Sequence, residues 1–398
     1  MNKLIPLTLL LSLGLTGCQT ESEQTTQTAA NAQSTSSVIA EQKRQLALEL
    51  SQQFAQMEPT LRTEINEYQL SVSVSSLVEK QPIAQFSHSL QSADTKIRKV
   101  KGIEEYTNEI LELRLADPSM LARWQTGQSP LFAFEPEGND NTWNYIEAYD
   151  INGQLHQLDV YDIPERPVLV VDSNSHEELR AGIAAMREEI QRLQNTDSVE
   201  TNQLSRSAMT YSAQVASASE KAEPISTTVL KKIRLNDDKE PWISGKSEIY
   251  SIVTGVNPSR DEPIVDIIDM PYLDYDKQDY YPNQVVIHWK RYRWGAADMI
   301  LMEQDDGTDY KQLAKLLVEV ATEVMKAIPD PEVQAYLIIP QLTGKIIDAI
   351  PDGALTNDDD FVDVFYTLMQ DSEYVDHPAA GGNAVATFTP LTINPTRD

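Results

Sequence analysis

Four aspartate-rich clusters punctuate the carboxyl-terminal half of the chain. They are Asp237-Asp238-Lys239-Glu240, Asp274-Tyr275-Asp276 with Asp279, Asp305-Asp306 with Asp309, and Asp358-Asp359-Asp360 with Asp363. Between Ile225 and Asp398 there are 22 Asp but only 8 Glu, against 15 Lys and Arg. Exposed charge on a strand or helix is served equally well by Glu, so the preference for Asp has chemical content. A short carboxylate on a tight loop suits a hard cation such as Ca²⁺, which takes about six to eight oxygens at roughly 2.3–2.6 Å. Carboxylates gathered without a counter-ion raise one another's pKa and cost stability, and a bound cation offsets that repulsion. The expected ligand set is Asp237, Asp238, Asp274, Asp276, Asp305, Asp306 and Asp309. The plainer use of the same residues is to start turns and cap helices, as Asp309 could do for a helix beginning at Tyr310. An EF-hand is excluded, since the loop from Asp274 lacks Gly at its sixth position and Glu at its twelfth.

Other chemistries leave weaker traces. His88, His156, His176, His288 and His377 are scattered and form no HExxH or comparable metal spacing. Neither a GxSxG elbow nor a P-loop occurs, and no catalytic residue is assigned. A pair of acids could hydrolyse a glycoside, but 61 acidic residues give that reading no particular address. Trp242, Tyr272, Tyr275, Tyr280, Tyr281, Trp289, Tyr292 and Trp294 could form a carbohydrate or peptide platform, or simply the core and rim of a β-sandwich. The formal net charge of −29 over 398 residues argues against nucleic-acid binding, which needs clustered Lys and Arg. The single cysteine, Cys18, rules out disulfide stapling and CxxC-type zinc sites.

The elements that must position these residues change character along the chain. Residues 1–17 read as a secretory signal, with Lys3 before an apolar run from Leu4 to Leu15 that is too short to span a bilayer. Residues 18–37 are polar and read as a flexible tether. An α+β domain is expected over 38–194. It opens with Leu46, Leu50, Phe54, Met57, Leu61 and Ile65 at helical spacing, in two pieces divided by Pro59. Ile103 to Leu115 is a second amphipathic stretch, and Asp117-Pro118 starts a helix continuing to Trp124. Strands follow at 130–135, 143–149, 154–160 and 167–171. A helix then runs from Ser175 to about Leu193, with Ser175 and Glu178 in capping-box spacing.

Residues 195–224 read as a linker. From 225 to 398, strand-like runs at 229–235, 248–254, 284–289, 299–303, 361–368 and 384–388 suggest an antiparallel β-sandwich, interrupted by helices at 310–328 and 342–350. The expected fold class is therefore α+β: a helical α+β domain followed by a sandwich with inserted helices.

Three resemblances add to this reading. Leu15-Thr16-Gly17-Cys18 resembles the lipobox of bacterial lipoproteins, which implies lipidation of Cys18 and anchoring to a membrane. Gln19, in place of the Asp of inner-membrane retention, implies the outer membrane. The run Leu301-Met302-Glu303-Gln304-Asp305-Asp306-Gly307-Thr308-Asp309 resembles a C2-type sandwich, in which loops at one end of two packed sheets hold Ca²⁺; the two helices after Asp309 depart from that pattern. Leu235–Trp242, Gly245–Tyr250, Met270–Asp274 and Tyr280–Gln284 resemble a family of bacterial lipoproteins known only as a domain of unknown function. Together these imply an outer-membrane lipoprotein acting as a Ca²⁺-stabilised binding or adhesion module of the cell envelope, with a protein or glycan partner. A cell-surface hydrolase and a structural envelope protein without a specific ligand are the alternatives.

Overall fold

The computed structural model describes residues 34–80, 84–138, 140–197, 223–237, 241–258, 262–304, 306–327, 335–350 and 360–394. The expected signal segment, Cys18, most of the tether and linker, Asp238, Asp305, Asp358 and Asp359 lie outside the described residues.

Helix α1 (Thr35–Glu64) is continuous, with Pro59 inside it, which corrects the expected division into two pieces. A proline in a helix interior removes one hydrogen bond and crowds the preceding turn. Burial of Met57 and Leu61 on either side of Pro59, on the same stripe as Leu46, Leu50 and Phe54, holds the helix together across it. This stripe packs on a six-stranded mixed sheet of order β1-β2-β6-β3-β4-β5. Its strands are β1 (Ser71–Ser73), β2 (Leu111–Leu115), β3 (Leu131–Ala133), β4 (Ile146–Asp150), β5 (Leu155–Leu158) and β6 (Val168–Ser173). Between β1 and β2 lie helices α2 (Val74–Lys80) and α3 (Ala84–Val100).

The amphipathic stretch expected over 103–115 ends in β2. Leu111, Leu113 and Leu115 alternate with Glu112 and Arg114, the period of a strand. Asp117 behaves as anticipated: its carboxylate accepts the Ser119 N–H at 2.7 Å and starts a short 3₁₀ turn that leads into α4 (Leu121–Gln125). The β4–β5 hairpin turns at Gly153, whose φ of +74° a side chain would strain. After β6 the chain enters α5 (Ser175–Asp197).

Beyond residue 223 the chain builds two four-stranded antiparallel sheets. One has β7 (Ile225–Leu235), β10 (Gln284–His288), β13 (Tyr374–Pro378) and β14 (Ala384–Ile393), in the order β10-β7-β14-β13. The other has β8 (Ile249–Val256), β9 (Pro263–Asp269), β11 (Ala296–Glu303) and β12 (Asp360–Met369), in the order β12-β11-β8-β9. Between β11 and β12 come α6 (Tyr310–Ala327) and α7 (Ile338–Ala349), the two expected helices.

The second sheet is buried on both faces. Ile249 and Val253 of β8, with Met299 and Leu301 of β11, pack with Leu230, Ile233 and Phe388 of the first sheet. Tyr250, Ile252, Ile300 and Met302 point the other way, into a cluster shared with α1, α5, α6 and the six-stranded sheet. Every residue of β8 and of β11 is accordingly buried. Thr35–Asp398 forms one compact unit, its helical core and its sandwich joined by that shared apolar cluster.

Gly182 shows how tightly the α5–α6 seam is fitted. A Cβ at this position would lie 2.2 Å from the Tyr310 ring. Tyr310 is thereby free to run along α5 and donate its hydroxyl to Glu178, one turn earlier, at 3.1 Å. Gly182→Ala is expected to lower stability by about 1–3 kcal/mol through overpacking, measured by urea denaturation. A loss below about 0.5 kcal/mol would show that the seam yields freely.

Candidate functional site

The site is built from the carboxyl ends of two parallel strands. Strands β3 and β6 run parallel with Ala133 opposite Val170, so the chain just past β3 brings Glu135 to the level of Asp172, near the end of β6. On the other side β2 is antiparallel, with Glu112 directly opposite Asp172 and Arg114 two residues on along the same face. Ligand sites in open α/β sheets form at such carboxyl ends, where the loops part. Here the sandwich closes the gap, bringing Trp242, Ser244 and Lys246 from the segment before β8 and Gln304 and Asp306 from the end of β11. The result is a cavity of about 440 Å³ between the two halves of the fold.

Three cations lie around this cavity, Lys43 and Lys101 buried and Arg114 partly so, and each is committed to carboxylates or carbonyls. Lys43 projects from the apolar stripe of α1 and is fully buried. Its ammonium donates to Asp172 Oδ1 at 2.8 Å and to Asp306 Oδ2 at 2.6 Å. Lys101, just past α3, donates to Glu178 Oε1 at 2.6 Å and to the Asp306 carbonyl, and pairs with Asp306 Oδ1 at 3.5 Å. The Arg114 guanidinium donates to Asp172 Oδ2 at 2.7 Å and to the carbonyls of Ile243 and Ser244, the latter at 2.8 Å. These bonds tie α1, α3 and β2 to the sandwich loops through charge-assisted contacts.

The carboxylates are not equally compensated. Burial alone would raise the Asp172 carboxyl, but Lys43 and Arg114 beside it hold it well below the usual range. Glu135 has no such partner. Burial, reinforced by the negative charge of Asp172 and Asp306, pushes its carboxyl up to about 7, opposed by Lys43 and a hydrogen bond with the Ser244 side chain. Glu112 is also raised, again by burial first, although Asn174 donates to it at 2.9 Å. Glu135 is thus a group that holds or releases a proton near neutrality inside the cavity.

Three buried side-chain atoms on cavity-lining residues have no hydrogen-bond partner: Ser173 Oγ, Glu178 Oε2 and Gln304 Oε1. Such atoms are rare in native interiors, because leaving an acceptor buried and unmet costs its desolvation. Three of the five such atoms among the described residues belong to residues that line this one cavity.

The expected cation ligands are placed differently. Among the described residues, the acids close enough to share a metal ion are Glu135, Asp172 and Asp306, whose oxygens lie within 4.8 Å of one another. Of the expected set only Asp306 belongs to this group. Asp274 pairs with Lys246 at 2.7 Å, Asp276 with its neighbour Lys277, and the backbone of Asp237 is bonded to the Asn383 side chain. Asp309 accepts the Gln312 N–H at 3.1 Å at the start of α6. Asp363, from the fourth cluster, is fully buried and accepts the N–H groups of Val364, Gly381, Asn383 and Ala384 at 2.6–2.9 Å. Those four donors meet its oxygens without a metal. Of the aromatic group, Trp242 and Tyr275 line the cavity, while Trp289 and Tyr292 are buried in the sandwich core.

Residues outside the expected set carry most of the site. Lys43 could have been found from the sequence, as the one charged residue on the stripe from Ile39 through Leu46 to Leu61. Glu178 was read as half of a capping box with Ser175. In the structure Asn174 caps the helix, accepting the Glu177 N–H at 3.0 Å, and Glu178 turns inward to Lys101, Gln304 and Tyr310. His176 is exposed, as expected of a helix start, and sits on the cavity wall.

No curated protein and no solved structure matches this chain. A family model does: it spans residues 43–396, and so takes in Lys43, Lys101, Arg114, Glu135, Asp172, Glu178 and Asp306 alike. The chain belongs to the family described as "Protein of unknown function (DUF3103)".

Proposed function

We propose that this protein is a binding module of the cell envelope, lipid-anchored through Cys18 at the outer membrane, and that its ligand occupies the cavity between the helical core and the sandwich. The observation that carries the reading is the set of unmet polar atoms on Ser173, Glu178 and Gln304, in a pocket whose buried cations are already engaged. A molecule with several hydrogen-bond donors compensates those atoms on entry. Trp242 and Tyr275 supply apolar wall beside the polar floor. The anchor is supported by the Leu15–Cys18 motif alone, and two or more acyl chains there give stable attachment. Among the described residues no helix is long and apolar enough to cross a membrane.

A thermal-shift screen of the purified chain against polyols, amino sugars, diamines, dicarboxylates and CaCl₂ tests the binding reading. At least one class is expected to raise the melting temperature saturably. The shift is expected to vanish in Ser244→Trp, which fills the cavity mouth. A flat screen, or a shift that survives Ser244→Trp, overturns it.

Ca²⁺ remains a second reading, favoured by the proximity of Glu135, Asp172 and Asp306. Lys43 already bridges Asp172 and Asp306, where it does electrostatically what a cation would do. A melting temperature that rises with CaCl₂ and falls back with EDTA supports the metal; indifference to both removes it.

A further inference from the structure

We propose that the ligand of this cavity carries a protonated amine, received by Glu135 beside the buried, unmet acceptors on Glu178 and Gln304. The inference rests on the binding reading above and narrows it to one chemical class. Charge accounting points there. Seven carboxylates line the cavity, on Glu112, Asp117, Glu135, Asp172, Glu178, Glu248 and Asp306. Three cations, Lys43, Lys101 and Arg114, face them. Lys246, which also lines the cavity, is paired with Asp274. The cavity therefore lacks positive charge, and the raised carboxyls of Glu135 and Glu112 are the local symptom.

Hydrogen-bond capacity gives the same answer independently. Glu178 Oε2 and Gln304 Oε1 are acceptors that nothing meets, and Ser173 Oγ accepts as readily as it donates. An anionic ligand would find no free cation, because the buried cations are all bonded within the protein. An ammonium group supplies three donors and one positive charge at once. A divalent ion is the poorer fit, since reaching Asp172 and Asp306 brings it against the Lys43 ammonium, which sits 2.8 and 2.6 Å from them. The aromatic faces of Trp242 and Tyr275 suit the carbon skeleton that would carry the amine, and a cation beside them is favoured.

Calorimetric titration at pH 8 with 1,4-diaminobutane, and in parallel with 1,4-butanediol, separates charge from shape. The diamine is expected to bind saturably and the diol to bind about tenfold more weakly or not at all. Glu135→Gln is expected to weaken the diamine about tenfold while keeping the fold, since it removes a carboxylate that burial already disfavours. Gln304→Leu, which deletes an acceptor and no charge, is expected to weaken it several-fold. Equal binding of diol and diamine overturns the proposal, as does undiminished diamine binding in Glu135→Gln, or CaCl₂ displacing the diamine at lower concentration. If the diamine fails while another class in the screen binds and is lost in Ser244→Trp, the cavity remains a binding site and only the amine assignment falls. If no class binds, both fall.

Discussion

Asp172→Asn is expected to remove about 3–5 kcal/mol of folding free energy near neutral pH, as breaking one side of a buried charge network does. Asp172 is the hub: Oδ1 faces Lys43, Oδ2 faces Arg114, and the Ser173 N–H also donates to Oδ1 at 2.8 Å. Replacing it strands a fully buried ammonium that retains only Asp306. Its carboxyl is depressed in the folded state, so the stabilisation is fully present above the unfolded carboxyl value of about 4. It is lost as pH falls through the lower folded value. The gap between variant and parent should therefore be wide at neutral pH and narrow in strong acid, measured by urea denaturation across pH. Adding Lys43→Met to Asp172→Asn should recover part of the loss, because it removes the stranded ammonium while Arg114 keeps its carbonyl acceptors and Asp306 keeps Lys101. A single-variant loss below about 1 kcal/mol would show that water reaches this network and screens it.

Glu135 has the opposite sign and gives the second large effect. Its carboxyl is raised to about 7 in the fold, so the folded protein keeps a proton that the unfolded chain releases near 4.5. Stability attributable to this group is thus greatest in acid. It falls as pH rises through that window and is spent above about pH 7. The difference corresponds to about 3 kcal/mol. Glu135→Gln abolishes the titration but keeps an acceptor for Ser244. The variant is expected to match the parent near pH 5 and to exceed its stability by up to about 3 kcal/mol near pH 8. Denaturation midpoints at both values decide it, and a pH-independent difference would sink the assignment. Because the same substitution is expected to weaken amine binding, a stabler protein that binds less well identifies Glu135 as a site held at a cost to the fold.

Much of the fold is legible in the sequence, for a local reason. The runs around β7, β8, β11, β12 and β14 alternate or are continuously apolar, and α6 repeats its apolar residues at helical spacing, so their types follow from nearest-neighbour chemistry. β9 and β13 escaped notice. Pro263 opens the first, and the second, Tyr374–Pro378, is largely exposed, so neither shows a buried period. Within the amphipathic stretch 103–115 the strand period is confined to Leu111–Leu115, and Ile103 and Ile110 extend the apolar pattern across a turn. At Pro59 local propensity pointed to a break, and tertiary burial of Met57 and Leu61 overrode it.

The sequence by itself determined the class of the protein: an acidic α+β chain with a β-rich second half, inserted helices, and no metal or nucleophile motif. The tertiary structure alone decided which acids act together. Aspartate clusters in sequence are conspicuous, yet Asp237, Asp274 and Asp276 meet local backbone or lysine partners, because exposed loops have neighbours and water close at hand. Of the carboxylates that line the cavity, those at 135, 172, 178 and 306 come from four separate parts of the chain, and only Asp306 belongs to an aspartate-rich cluster. What gathers them is strand register and burial: parallel pairing aligns Glu135 with Asp172, an apolar helix face carries Lys43 inward, and the sandwich seals the gap with Asp306. Charge becomes functional here through desolvation, and desolvation belongs to the folded arrangement, not to any stretch of chain.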